Sequence, residues 1–269
     1  MLPYRLAAID LDGTLLGPDH RISPRNACAV RALKDHGVTC VIASGRMHQA
    51  TVRFAEELGI DGPLISYNGA MVRDIRTREV WHHLRVPAEA AAEVIRFCAE
   101  HRYHLNYYLN DHLYVAERGP WAEFYVRQTG SPMEVIGDLL PLQGTEPTKM
   151  ILIEAPDTIQ HLLGVFRGRL GNVLYITRTN PEYLEFMNIQ ANKGSALELV
   201  AERLGVAREE TLAFGDGEND IPMIRWAGLG VAMGDAASVV QSAADAIAPP
   251  HDEDGLGRLI EALIADRRD

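Results

Sequence analysis

Asp10 and Asp12 stand two residues apart at the end of a short apolar run, in the stretch Asp10-Leu11-Asp12-Gly13-Thr14. Leu6 to Ile9 carries the pattern of a buried parallel strand, and a carboxylate just beyond such a strand lies where open α/β sheets bind their ligands. One aspartate can attack an electrophile while the other handles protons. A carboxylate that attacks phosphorus forms an acyl-phosphate and divides a slow displacement into two faster steps, and a neighbouring acid protonates the departing alkoxide. A lone D-x-D is more often a helix cap or an Asx-turn, so this pair takes its meaning from the company it keeps.

The second element is Phe214-Gly215-Asp216-Gly217-Glu218-Asn219-Asp220, again after an apolar strand and again rich in carboxylates. Without a cation these acids repel one another. Magnesium suits them, since it is typically held by one or two carboxylates, several waters and a substrate phosphate. Two further elements can clamp a phosphate: Ser44-Gly45 offers a hydroxyl and backbone amides at a strand end, and Lys193-Gly194 brings a cation to the start of a helix. Taken singly, each reads as an ordinary turn or cap. Their order and spacing are what discriminate.

The elements that must position these residues follow from punctuation and periodicity. Ser23-Pro24 starts a helix running to about His36, residues 38–43 form a second strand, and residues 47–58 form a second helix closed by Gly59. Strand, helix, strand, helix predicts a parallel sheet with crossovers. From about Leu84 the texture changes to a helix at 87–101, alternating aromatic strands at 103–108 and 112–115, a helix at 120–129, a strand at 149–154, a helix at 157–170 and strands near 173–178 and 183–187. The first pattern then returns, with helix 193–204, strand 211–214, helix 219–226, strand 229–232, helix 236–243, strand 245–248 and helix 255–265. The predicted fold class is α/β: a Rossmann-like parallel sheet with helices on both faces, formed by residues 1–83 and 185–269, and an inserted α+β domain at 84–184. The aromatic residues Tyr103, Tyr107, Tyr108, Tyr114, Trp121, Phe124 and Tyr125 read as packing of that insert.

Bulk properties narrow the partners. The chain has 269 residues and a net charge of −11, which disfavours nucleic acid polymers and anionic membranes while leaving room for a local phosphate pocket. No apolar run approaches the roughly 20 residues of a membrane-spanning helix, and the first residues lack the pattern of a secretory signal. A cytoplasmic protein, monomeric or weakly homodimeric, is expected. The three cysteines, Cys28, Cys40 and Cys98, form no C-x-x-C pair and are read as packing residues. His82, His83, His101, His104 and His112 show no zinc-ligand spacing.

Taken together, Asp10-x-Asp12-Gly13-Thr14, Ser44, Lys193 and Gly215-Asp216-x-x-x-Asp220 make the sequence resemble the haloacid dehalogenase superfamily of phosphatases. It looks most similar to the Cof-like branch, with a type IIB α/β cap inserted between the second and third motifs. Ala43-Ser44-Gly45-Arg46, Asn68-Gly69, Asn192-Lys193-Gly194, Gly217-Glu218-Asn219-Asp220 and Asp252-Glu253-Asp254-Gly255 also match that branch. The resemblance implies that Asp10 is the nucleophile and Asp12 the general acid and base. It implies Mg²⁺ bound by Asp10 and Asp216, with the backbone carbonyl of Asp12. Ser44, Gly45, Lys193 and Asn219 would hold the phosphoryl group, supported by Asp220, Arg46 and Asn68. The substrate would be a small phosphorylated metabolite: a sugar phosphate, a nucleotide or a phosphorylated cofactor. Three other readings are a phosphosugar mutase of the same fold, a receiver-like module and a non-catalytic phosphate-ester binder. Receiver modules are shorter and lack an insert, and a complete set of nucleophile, acid, lysine and metal acid disfavours the inert binder.

Overall fold

Alternation within the first strand decides how the chain wraps. In the computed structural model, which describes residues 2–266, β1 (Leu6–Ile9) is buried along its length, and its side chains divide between two faces. Ala7 and Ile9 join one apolar cluster with Val30, Leu33, Phe54 and Leu256, whereas Leu6 and Ala8 join another with Leu197, Val200 and Met223. A strand apolar on both faces needs cover on both, and helices provide it.

The chain divides into two compact units, His83–Ala191 and the residues on either side of that segment. In the first unit, α1 (Pro24–Asp35) begins as its sequence predicts, with the Ser23 hydroxyl accepting the Asn26 amide and proline in the first turn. Its buried face is formed by Asn26, Ala27, Ala29, Val30 and Leu33; Cys28 falls on the other side and is exposed, which corrects its reading as a packing residue. β2 (Thr39–Ile42) and α2 (His48–Glu57) follow. Then come three strands that sequence reasoning did not assign: β3 (Pro63–Ser66), β4 (Met71–Asp74) and β5 (Val80–His83), paired in that order. Ala43 bridges Ile65 in parallel, so β3 continues alongside the end of β2.

The second unit contains α3 (Ala88–His101), β6 (His104–Leu109), β7 (His112–Val115), α4 (Pro120–Thr129), β8 (Glu134–Val135), β9 (Lys149–Ile153), α5 (Pro156–Leu170), β10 (Leu174–Asn180) and β11 (Tyr183–Asn188). Its six strands pair in the order β10-β11-β9-β6-β7-β8, antiparallel except for β7 with β8. Leu105, Tyr107, Leu152, Leu184 and Phe186 pack with Val94, Ile95, Ile159 and Phe166 of the two long helices. The boundary expected at 184 falls inside β11, which is hydrogen-bonded to both β9 and β10, so the unit continues to Ala191.

Returning to the first unit, Asn192 caps α6 (Lys193–Leu204) by accepting the Ser195 amide. β12 (Thr211–Gly215), α7 (Ile221–Trp226), β13 (Leu229–Ala232), α8 (Ser238–Gln241), β14 (Ala246–Ile247) and α9 (Gly255–Ala265) complete it. The parallel sheet runs β14-β13-β12-β1-β2, in register from Leu6 opposite Thr211 to Ile9 opposite Phe214. Two predicted helices are shorter than expected. Residues 218–220 form a tight 3₁₀ turn before α7 because the Asp220 carboxylate turns back onto the amides of Asp216 and Gly217. The Gln241 side chain binds the carbonyls of Gly234 and Ala236, holding that segment as a loop and leaving α8 only four residues.

Candidate active site

β1 lies between β2 and β12, so the segments that leave their carboxyl ends emerge side by side. The Asp10 amide donates to Phe214 O at 3.0 Å and the Ala43 amide to Ile9 O at 2.9 Å, which carries the three chains in step to the edge of the sheet. There the fully buried Lys193, first residue of α6, directs its ammonium at Asp10 Oδ1 and Asp220 Oδ1, both at 2.5 Å. The other Asp220 oxygen accepts the amides of Asp216 and Gly217 at 3.0 and 2.9 Å. Asp216 Oδ1 accepts the Thr14 hydroxyl at 3.2 Å. Gly13 leaves room for this carboxylate, since a Cβ there would sit 2.4 Å from Asp216 Oδ2.

The electrostatics of this group call for another cation. Oxygens of Asp10, Asp216 and Asp220 lie within 4.8 Å of one another, against the single charge of Lys193. Burial raises Asp10 well above the usual carboxylate range, the charges of Asp220 and Asp216 push the same way, and Lys193 opposes them. Asp216 rises to about 6, through burial first and Asp220 second. Burial works against the Lys193 charge, but Asp10 and Asp220 outweigh it and its pKa is raised. Among the described hydrogen bonds, Asp10 and Asp216 each use only Oδ1. The donor set is therefore hard, anionic and incompletely satisfied, and it fits a divalent ion of the magnesium type.

Asp12 is placed differently. Its side chain is 46% exposed and held by Arg46, whose Nε and Nη2 reach its two oxygens at 2.8 and 2.5 Å. His20 lies 3.8 Å from the same carboxylate. The Ser44 hydroxyl accepts the Arg46 amide at 3.1 Å, and the Asn219 amide donates to Asn68 Oδ1 at 2.9 Å.

A sequence model of the haloacid dehalogenase-like hydrolases matches residues 7–260. The chain belongs to that family. Across 97% of its length and 96% of the relative's, it is 32% identical to the 5-amino-6-(5-phospho-D-ribitylamino)uracil phosphatase YcsE of Bacillus subtilis (strain 168). It is 29% identical to the phosphatase YwpJ of the same organism, over 97% of this chain and 100% of that one. Among solved structures, a haloacid dehalogenase-like hydrolase from Bacteroides thetaiotaomicron superposes with a TM-score of 0.90 at 28% identity, covering 97% of this chain and 99% of that one.

For this family member, the residues singled out from sequence fall into linked groups. Asp10, Lys193 and Asp220 are directly bonded, with Asp216 beside them; Asp12 pairs with Arg46, and Asn219 with Asn68. Sequence reasoning missed His20 and the bond from Thr14 to Asp216. Thr14 was within reach, because a hydroxyl two residues after the Asp-x-Asp pair shares its turn. Nothing in the local pattern marks His20.

Proposed function

We propose that this member of the haloacid dehalogenase-like hydrolases is a magnesium-dependent phosphatase of small phosphorylated metabolites. The observation that carries the reading is the buried Lys193 ammonium bound at 2.5 Å to both Asp10 and Asp220, with Asp216 adjoining. A carboxylate at a strand tip, oriented by a fixed cation and left with negative charge to share, is suited to receive a phosphoryl group.

Asp10 attacks phosphorus as the bond to the leaving oxygen breaks, giving an aspartyl-phosphate. Asp12, on the exposed side, hands a proton to the leaving alkoxide and then takes one from the water that cleaves the acyl-phosphate. Ser44, Gly45, Lys193 and Asn219 hold phosphoryl oxygens, and Asp220 holds Lys193. Asp10, Asp216 and the main-chain carbonyl of Asp12 would hold magnesium, which when bound would supply positive charge against the phosphoryl oxygens. Residues 83–191 are assigned the role of a cap that selects the substrate. The name of the relative YcsE puts a phosphate ester on a ribityl chain among the first compounds to try, alongside sugar phosphates, nucleotides and phosphorylated cofactors.

The test is magnesium-dependent release of inorganic phosphate across such a panel, combined with trapping of the intermediate. In Asp12→Ala, p-nitrophenyl phosphate, whose leaving group needs no acid, should give a burst of p-nitrophenol, with phosphoryl retained on the peptide containing Asp10. Isomerised sugar phosphate without free phosphate would replace this reading with the mutase.

A further inference from the structure

Between β3 and β4 the backbone makes a complete left-handed turn: φ is +52° at Tyr67, +55° at Asn68 and +93° at Gly69. L-residues visit this region singly and at a steric cost, and runs of them persist only where the surroundings over-determine them. Here Tyr67 and Asn68 are 0% and 4% exposed, so solvent exposure does not explain the geometry. What the turn achieves is contact with three loops at once. The Tyr67 amide donates to Arg46 O at 2.9 Å and the Asn68 amide to Ser44 O at 3.0 Å. Gly69 abuts the start of α6 so closely that a Cβ would lie 2.2 Å from Asn192 O. The Asn68 side chain accepts from Asn219 Nδ2 at 2.9 Å.

These are the segments that carry Ser44, Lys193 and Asn219, which are separate in sequence and arrive from β2, α6 and the loop after β12. A right-handed or extended link at 67–69 would point the two amides away from the 44–46 loop. We propose that this turn sets the spacing of the phosphate clamp, and that Asn68 is a positioning residue for Asn219. By accepting one N–H of the Asn219 amide, Asn68 prevents the amide from flipping and leaves its second N–H as the donor for a phosphoryl oxygen. The inference rests on the phosphatase reading and adds to it a residue that acts through another.

Asn68→Gly separates backbone from side chain, because glycine adopts the left-handed region freely while removing the acceptor. The melting temperature should be unchanged or higher. Binding of inorganic phosphate in the presence of magnesium, measured by calorimetry and so independent of turnover, should weaken about tenfold, as expected when an oriented contact is lost. Asn219→Ala should weaken it similarly, and the double variant should be no worse than either single one. Wild-type phosphate affinity in Asn68→Gly, with or without a lowered melting temperature, would show that the Asn68 side chain does not position Asn219 and would overturn the proposal. Additive losses in the double variant would also overturn it, by showing that Asn68 acts on its own. Asp10→Asn serves as the control for the reading beneath: continued phosphate release there would remove the phosphatase mechanism, whatever Asn68 does.

Discussion

Each of the two units buries a lysine among carboxylates, and the surroundings differ in a telling way. Lys149 of the second unit is 3% exposed and sits in mid-strand on β9. It faces both oxygens of Glu185 on β11 at 3.4 Å, and Thr179 donates a further hydrogen bond to that carboxylate at 2.9 Å. Among the described ion pairs, one charge there answers one charge. Lys193 of the first unit lies at the strand tips and answers two carboxylates, with a third beside them. A balanced pair in the middle of a sheet holds structure; an unbalanced group at its edge has charge left over for a ligand. The Asp10–Lys193 contact spans 183 residues of sequence, against 36 for Lys149–Glu185.

The comparison can be broken or sharpened by experiment. The largest effect should come from Asp10→Asn, which keeps an acceptor for Lys193 but removes the attacking charge. Phosphate release should fall by about 10⁴-fold or more while circular dichroism and melting stay close to wild type. On the balanced side, Lys149→Met leaves Glu185 buried and unanswered and should cost about 3–5 kcal/mol in denaturant unfolding, whereas Lys149→Met with Glu185→Leu should return close to wild-type stability. A double variant as unstable as the single would show that Lys149 and Glu185 are not simply balancing one another.

Histidines extend the contrast to pH. His48, buried in the first unit with Nδ1 3.1 Å from the Ser66 hydroxyl, is lowered to about 4 by burial and then by the charge of Arg73. The unfolded chain takes up its proton near the ordinary value of about 6.5, so between there and about 4 the unfolded state holds more protons. Its contribution, about 3 kcal/mol, is therefore complete above the unfolded value and is lost as pH falls toward 4. Denaturant titrations of wild type and His48→Gln across this range should differ in slope. In the second unit His104 is lowered too, by burial, but Asn106 and the charges of Glu117 and Glu154 pull it back, so His104→Gln should change the slope less. The smallest effect concerns the surplus charge itself. Magnesium at 100 times its dissociation constant should raise stability by about 2.7 kcal/mol, and Asp216→Asn should abolish most of that rise in a thermal melt.

The elements legible beforehand were those with local punctuation. Four apolar residues before Asp10, Ser23-Pro24 at α1 and Lys193-Gly194 at α6 each stand where they were expected. β3, β4 and β5 carried none: each has four residues, and β5 is half-exposed, with Val80 at 49%, so neither a helical nor a strand period could emerge. Asn68-Gly69 entered only as a match to the family pattern, and no sequence rule puts a tyrosine into a left-handed backbone. At the site, residue types and spacing picked out the motifs. The pairings of Asp12 with Arg46 and of Asn68 with Asn219, across 34 and 151 positions, depend on tertiary packing and had no local trace.

The central place of β1 also governs when the protein can become an enzyme. While the chain is being synthesised, β2 is available to β1 early, but its other neighbour, β12, emerges only after the whole of residues 83–191. Until residues 211–220 leave the ribosome, Asp10 lacks the β12 strand beside it and the carboxylates of Asp216 and Asp220, and its partner Lys193 follows the whole second unit. Domains formed from distant segments close slowly, because the intervening loop must be ordered first. A nascent or truncated chain therefore carries Asp10 without Lys193, Asp216 and Asp220, and the group at the strand tips is completed only with the last third of the polypeptide.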